Sequence, residues 1–251
     1  MDGPNLRFAE IDWYWDRFVA IDKNWDYGIR RVIPHNLLLF EVFLMTNLLN
    51  LQVPGNEKKV LLHCCCAPCS CSIIRRMMEN GIEPTVYFYN PNIYPKEEYE
   101  HRKKEVIRYI QKMKVPFVDA DYEIDGWLEA TQGHEEDVER GKRCTICFEM
   151  RLGKTAAYAA QNGFKVFTTS LGISRWKDFG QVNRAGKRAA SLFPGLIYWD
   201  HNWRLGGGQE QMERISKEEN FYRQRYCGCR YSLNESVRRE LSKRPEDQPA
   251  R

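Results

Sequence analysis

A chain of 251 residues with 43% hydrophobic content carries enough apolar material for a real core, which excludes intrinsic disorder as an overall reading. Its 38 Lys and Arg against 34 Asp and Glu leave a formal net charge of +4, which permits an anionic partner without requiring one. The longest apolar run, residues 37–51, is broken by Glu41, Thr46 and Asn47 and is too short and too polar to span a bilayer, and the acidic N-terminus lacks the basic-then-apolar order of a signal peptide, so a cytoplasmic protein is expected.

Residues 1–57 read as an N-terminal helical extension and linker. Within it, residues 8–27 are rich in Trp, Asp and Arg and suit one or two amphipathic helices, Pro34 is a break, residues 37–51 suit an apolar helix, and Pro54-Gly55-Asn56 is a turn. From Lys58 the pattern alternates. Val60-Leu61-Leu62-His63 suits a buried strand, residues 68–80 a helix stopped by Gly81, and Thr85-Val86-Tyr87-Phe88-Tyr89 a second strand. Residues 96–114 place Tyr99, Val106, Ile107, Ile110 and Met113 at helical spacing, and residues 115–120 form a third strand candidate. A helix is expected over 144–162, a strand over 164–170, a helix over 178–190 despite Gly180 and Gly186, and a last strand over 196–199. Gly206-Gly207-Gly208 lacks the strand–glycine–helix context of a dinucleotide site and reads as a flexible turn. Residues 58–233 are thus expected to form an α/β catalytic domain with a mainly parallel sheet and helices on both faces, followed by a charged tail over 234–251 that is helical and then frayed.

The nine cysteines are confined to three short clusters: Cys64, Cys65, Cys66, Cys69 and Cys71; Cys144 and Cys147; Cys227 and Cys229. A secreted disulfide scaffold scatters its cysteines, whereas clustered thiols in a reducing compartment point to metal binding or redox chemistry. The first cluster directly follows the first strand, the edge at which open α/β sheets bind ligands. A turn into a helix would let Cys65 and Cys66 reach one centre, with the helix amides favouring their thiolates. Pro68 suits the first helical turn. Cys144 and Cys147 form a C-x2-C pair flanked by Lys142, Arg143 and Arg151, a spacing shared by zinc knuckles, redox pairs and iron–sulfur ligands. Cys227-Gly228-Cys229 would close a strained, easily reduced disulfide, suited to electron relay, or would supply two more metal ligands.

Weaker signals accompany these. The loop Tyr89-Asn90-Pro91-Asn92-Ile93-Tyr94-Pro95 and the hydroxyls of Thr168-Thr169-Ser170 fall at the ligand-binding edge of the sheet. Arg102, Lys103, Arg151, Arg184, Arg188, Arg223 and Arg225, with Tyr94, Trp176 and Tyr226, offer contacts to an RNA backbone and stacked bases. The five histidines are scattered and none reads as a ligand.

Taken together, His63-Cys64-Cys65-Cys66-Ala67-Pro68-Cys69-Ser70, Phe88-Tyr89-Asn90-Pro91-Asn92-Ile93, Arg143-Cys144-x2-Cys147 with Arg151-Leu152, Thr168-Thr169-Ser170-Leu171, and Tyr222-Arg223-Gln224-x-Tyr226-Cys227-Gly228-Cys229-x-Tyr231-Ser232 resemble the epoxyqueuosine reductase family QueH. The resemblance covers residues 58–232. It implies reduction of the epoxide of epoxyqueuosine at the first anticodon position of tRNA, the last step of queuosine synthesis. It further implies a 4Fe-4S cluster on Cys65, Cys66, Cys144 and Cys147, and a redox-active disulfide pair in Cys227 and Cys229 fed by an external electron donor. One additional iron ion is implied beside the cluster, with Cys69 as its candidate ligand; Cys64 and Cys71 receive no role. Two rivals stand beside this reading. An ATP-dependent tRNA thiolation enzyme is disfavoured because cysteines occupy the place of its pyrophosphate loop; a zinc-stabilised RNA-binding protein would carry zinc without sulfide.

Overall fold

The computed structural model describes residues 51–120 and 122–242; the expected helix over 8–27, that over 37–51 except its last residue, and the last nine residues of the tail lie outside them. Among the described residues the elements are β1 (Lys59–His63), α1 (Ala67–Glu79), β2 (Glu83–Phe88), α2 (Lys96–Met113), β3 (Phe117–Asp119), α3 (Ile124–Ala130), α4 (Lys142–Gln161), β4 (Val166–Thr169), a 3-10 turn (Ser170–Ile173), α5 (Phe179–Ser191), β5 (Ile197–Tyr198), α6 (Gly208–Glu218) and α7 (Arg230–Leu241). The strands form one all-parallel sheet in the order β3-β2-β1-β4-β5. No described helix is long and apolar enough to cross a membrane.

β1 is the central strand and its sequence shows why. Val60, Leu61, Leu62 and His63 are all fully buried. Successive side chains of a strand point to opposite faces, so a strand buried at every position must be covered on both. The covering helices form two groups: α1 packs with α2 and α6, and α4 packs with α5 and α3. Helix ends follow local chemistry. Pro68 sits in the first turn of α1, Asp178 Oδ1 accepts the Gln181 amide at 2.7 Å to cap α5, and Asp137 Oδ2 accepts the Arg143 amide at 2.7 Å at the start of α4.

From Lys58 on, the expected strands and helices of the α/β unit are present among the described residues, with ends displaced by a few residues. The strand expected over 164–170 is shorter, because Ser170 already belongs to the 3-10 turn. Helices α3 and α6 had no sequence reading. α3 has only seven residues, too few for a periodic signal, and α6 begins inside the glycine run read as a flexible turn. There Gly207 adopts φ +74° as the N-cap, and Gly208 lies against the Trp203 carbonyl, where an added Cβ would stand 1.9 Å from the oxygen. Helix α7 starts within the expected α/β unit and runs on past residue 234. Leu51, the last residue of the helix expected over 37–51, is not helical, and it and Val53 are buried in the core.

Gly186, which weakened the helical pattern of α5, has a packing reason. A Cβ at this position would lie 2.4–2.5 Å from the ring atoms of Tyr198 on β5, so only glycine lets the helix approach the sheet edge. Gly186→Ala is therefore expected to cost about 1–3 kcal/mol through overpacking, read as a lower urea midpoint at unchanged slope.

Candidate metal and thiol site

The C-terminal ends of β1 and β4 are adjacent in register, His63 opposite Thr169. In this strand order the connections after β1 and β4 leave the sheet towards opposite faces and open a crevice between them. The first cysteine cluster enters it. Cys66 is the N-cap of α1, in extended conformation, so the sulfurs of Cys65, Cys66 and Cys69 gather at the helix N-terminus with their Sγ atoms within 4.8 Å of one another. Cys65 Sγ and Cys66 Sγ are 3.7 Å apart. Ser170, first residue beyond β4, accepts the Cys65 amide at 3.1 Å and donates to Cys65 Sγ at 3.3 Å.

Charge is distributed unevenly over this triad. Hydrogen bonds from Cys66 and Cys69, assisted by the positive charges of Lys177 and Arg151, hold Cys65 well below the usual thiol range. As the donor to Cys65, Cys66 is pushed up to about 11, and Cys69 rises for the same reason. One thiolate flanked by two thiols at a helix N-terminus is a donor set that suits a cationic metal group, because a bound cation would draw off the remaining protons.

The other members of the first cluster turn away. Cys64 accepts from Ser70 Oγ at 2.9 Å and points its thiol toward the Cys66 carbonyl, and burial raises its pKa. Cys71 donates to the Pro68 carbonyl at 3.2 Å and is pushed up to about 12 by burial. Both are neutral core thiols.

Cys144 and Cys147 lie on the first two turns of α4 and stand outside the 4.8 Å triad. Burial, then the charge of Cys227, pushes Cys144 up to about 12. Cys147 packs with Cys229 and Trp127, which projects from α3. Cys227 and Cys229 close the arrangement from the loop before α7, where Cys229 Sγ caps the helix by accepting the Ser232 amide at 3.4 Å. A cleft of about 370 Å³ is lined by Cys69, Cys144, Cys227 and Cys229, so each of the three sequence clusters contributes to it. Lys177 and Gln224 also line the cleft. Burial alone would lower the Lys177 ammonium, but the thiol charges of Cys227, Cys65 and Cys69 outweigh it and hold the side chain protonated. Gln224 Nε2 donates to Cys66 Sγ at 3.3 Å, a bond between the C-x-C loop and the triad. Gln224 stood in the sequence only as part of the motif before Cys227, with no role of its own, and Lys177 was not singled out, since an isolated Lys has no periodic or spacing signal.

Several residues read as possible ligand or RNA contacts are internal struts. Arg102, 3% exposed, donates to the Cys227 and Tyr226 carbonyls at 3.0 and 3.4 Å and pairs with Glu98 at 2.7 Å, which fixes the C-x-C loop to α2. Tyr222 stacks on His101 and Tyr226 bonds the Tyr94 carbonyl, so both aromatics serve the same loop. Gly228 must be glycine here: its φ is +139°, and a Cβ would meet Asn92, Arg102 and Ile93 at 3.1–3.2 Å. Arg151, 2% exposed, donates to Asn90 Oδ1 at 2.5 Å, and Asn90 Nδ2 donates to the Cys64 carbonyl at 2.9 Å. Arg143 is buried against the His134 and Glu135 carbonyls and the Tyr231 ring rather than serving the thiols. Of the three hydroxyls at the end of β4 and just past it, Thr168 bonds the Trp199 carbonyl, Thr169 bonds His63, and Ser170 alone reaches the cysteines.

A parallel α/β sheet with thiols from three segments converging beyond its switch point defines a thiol-based redox or metal-binding α/β protein. Comparison with known proteins narrows this class. The family model of epoxyqueuosine reductase QueH matches residues 60–235. Proteins named epoxyqueuosine reductase QueH are 51% identical in Acinetobacter baylyi over 194 residues, 77% of this chain and 89% of the relative, and 53% identical in Haemophilus influenzae over 186 residues, 74% and 76%. The Thermotoga maritima protein of that name is 35% identical over 179 residues, 70% of this chain and 91% of the relative. The chain belongs to the epoxyqueuosine reductase QueH family, as the joint motifs imply.

His63 gives the site a pH signature. Its Nε2 lies 3.1 Å from the Tyr89 carbonyl, which can only accept, so Nδ1 accepts from Thr169 Oγ1 at 2.8 Å and the ring is neutral. Burial, with Arg151 adding to it, lowers its pKa from 6.5 to about 3. The unfolded chain thus binds a proton below pH 6.5 that the folded chain refuses until about 3, and this group's share of stability falls as pH drops between those values, by about 1.4 kcal/mol per unit. Urea unfolding of the metal-free chain from pH 7 to 4 should show this slope, and His63→Gln should flatten it.

Proposed function

We propose that this chain is an oxidoreductase that reduces the epoxide of epoxyqueuosine, at the first anticodon position of a tRNA, to the cyclopentene of queuosine. The observation that carries the reading is that all three cysteine clusters contribute to one cleft, through Cys69 of the compact triad, Cys144, and the Cys227–Cys229 pair. Removal of an epoxide oxygen as water consumes two electrons and two protons, and thiols next to a metal-binding donor set answer the first requirement.

In this reading Cys65, Cys66, Cys144 and Cys147 hold a 4Fe-4S cluster, and Cys69 is the candidate ligand of one additional iron ion. When bound, these groups would supply electrons one at a time and a Lewis-acidic position for the oxygen. The chain's own residues prepare the place. Ser170 and Gln224 orient the sulfurs of Cys65 and Cys66 by hydrogen bonds at 3.3 Å. Lys177 keeps a positive charge beside the thiols and offers a proton within the cleft. Cys227 and Cys229, as a dithiol, pass two electrons from an external donor and close to a disulfide, and Arg102 holds their loop in place.

A second ligand set has its own support. Cys65, Cys66 and Cys69 form the compact sulfur group, with Cys144 and Cys147 outside it. Iron, acid-labile sulfide and zinc per chain, measured after anaerobic purification, separate the readings. With the four-cysteine set, Cys144→Ala is expected to lose iron and sulfide together, whereas Cys69→Ala keeps its sulfide and loses iron in excess of it. The reverse pattern would assign the cluster to the triad. Zinc with no sulfide after reconstitution would replace the reductase by the zinc-stabilised RNA-binding protein, and ATP-dependent turnover would favour tRNA thiolation.

A further inference from the structure

The segment between the 3-10 turn and α5 is built in an unusual way. Ser174, Arg175, Trp176 and Lys177 lie in a short irregular stretch, yet each backbone carbonyl is held by an arginine. Arg140 donates to the Trp176 carbonyl at 3.0 Å and to the Arg175 carbonyl at 3.3 Å, and Arg204 donates to those of Ser174 and Lys177 at 2.6 and 3.0 Å. The segment carrying Arg140 is fixed in turn, since Gln181 Nε2 donates to the Arg140 and Gly141 carbonyls at 3.1 Å. A loop so tied presents its side chains at fixed places. It directs Lys177 toward the thiols and leaves Trp176 at the mouth of the same cleft, 66% exposed.

An indole in water is a large apolar surface left uncovered, and packing would normally hide it. The Arg175 guanidinium lies 5.1 Å from the Trp176 ring centroid, which braces one side of the indole. Among the described residues, Arg140 and Arg175 have no ion-pair partner, so two unpaired guanidinium groups stand beside the exposed flat ring, while Lys177 is held by the thiols. A flat π-surface beside two unpaired guanidinium groups matches an unstacked nucleobase with its phosphates better than an apolar protein surface.

We propose that Trp176 is the stacking platform for a nucleobase next to the one reduced, and that Arg175 with Arg140 neutralises the adjoining phosphates. The platform makes the enzyme a reader of unpaired loop nucleotides rather than of duplex. This inference rests on the RNA substrate of the proposed function and adds the residues that seat it.

The test is an anisotropy titration of the anaerobically purified full chain with a fluorescein-labelled RNA stem-loop and with a fully paired duplex of the same stem. The unaltered chain should prefer the stem-loop. Trp176→Ala should weaken stem-loop binding about tenfold or more, within the range of one base–aromatic stack, and leave duplex binding within about twofold. Trp176→Phe should restore most of the loss, and Arg175→Gln should reduce the salt dependence by about one phosphate contact. Leu192→Ser, at an equally exposed apolar residue (68%) outside the lining of the cleft, should behave as the parent. Unchanged stem-loop affinity in Trp176→Ala, or an equal loss on duplex, overturns the proposal; so does intact RNA binding with a raised KM for a protein electron donor, which would make this a protein-docking face. Binding is read without turnover, so stem-loop binding through Trp176 with no epoxide reduction would remove the reductase reading and the adjacency to a reduced base, and leave Trp176 as a stacking platform for RNA. Reduction with unchanged RNA affinity in Trp176→Ala would do the opposite.

Discussion

A backbone that leaves β1 at His63 gives up two hydrogen-bonded neighbours at once, because β2 flanks it on one side and β4 on the other. The groups exposed by that departure need partners in a buried place, since unpaired polar groups there cost about 1–3 kcal/mol each. The cysteine loop makes the exit possible. The Cys64 amide bonds the Tyr87 carbonyl, the Cys64 carbonyl takes Asn90, the Cys65 amide takes Ser170, and His63 bridges the end of β4 to the backbone after β2. With these satisfied, α1 can start at Ala67 with Cys66 as its N-cap.

The same constraint explains why so many arginines and asparagines near the site are buried. Asn90 and Arg151 on one side, and Arg102 on the other, hold carbonyls of the cysteine loop and the C-x-C loop respectively. A metal centre or dithiol relay works only when its sulfurs are held in register, and these struts connect segments 26, 61 and 125 residues apart in the chain. Arg140 lines the cleft, and Arg175 stands against the Trp176 ring at its mouth.

Environment sorts nine chemically identical side chains into different roles. Cys64 and Cys71 are neutral donors within the core. Cys65 is the one whose thiolate is favoured, by its neighbours' hydrogen bonds and by Lys177 and Arg151. Cys144, Cys147 and Cys229 are raised first by burial and then by the charge of neighbouring thiols. Closely packed thiols that cannot all ionise alone are poised to take a cationic partner or to exchange electrons, and the family membership of the chain agrees with this chemistry.

By itself the sequence determined the alternation of strands and helices, because the periods of apolar residues are local. It also determined the family, because its cysteine and proline motifs lie close together along the chain. Three features were left to the tertiary structure. Gly186 and Gly208 are required by rings and carbonyls from other segments, which no local pattern displays. Arg102 and Arg151 look like surface charges in sequence, and only long-range carbonyl and amide partners turn them inward. Cys69 stands beside Cys65 and Cys66 while Cys71 does not, because the helix that begins at Ala67 rotates successive side chains by about 100°, and Cys64, before the helix, is turned instead to Ser70 and the Cys66 carbonyl. Spacing names the candidates for a site; long-range packing against β4, α2 and α4 decides which of them meet.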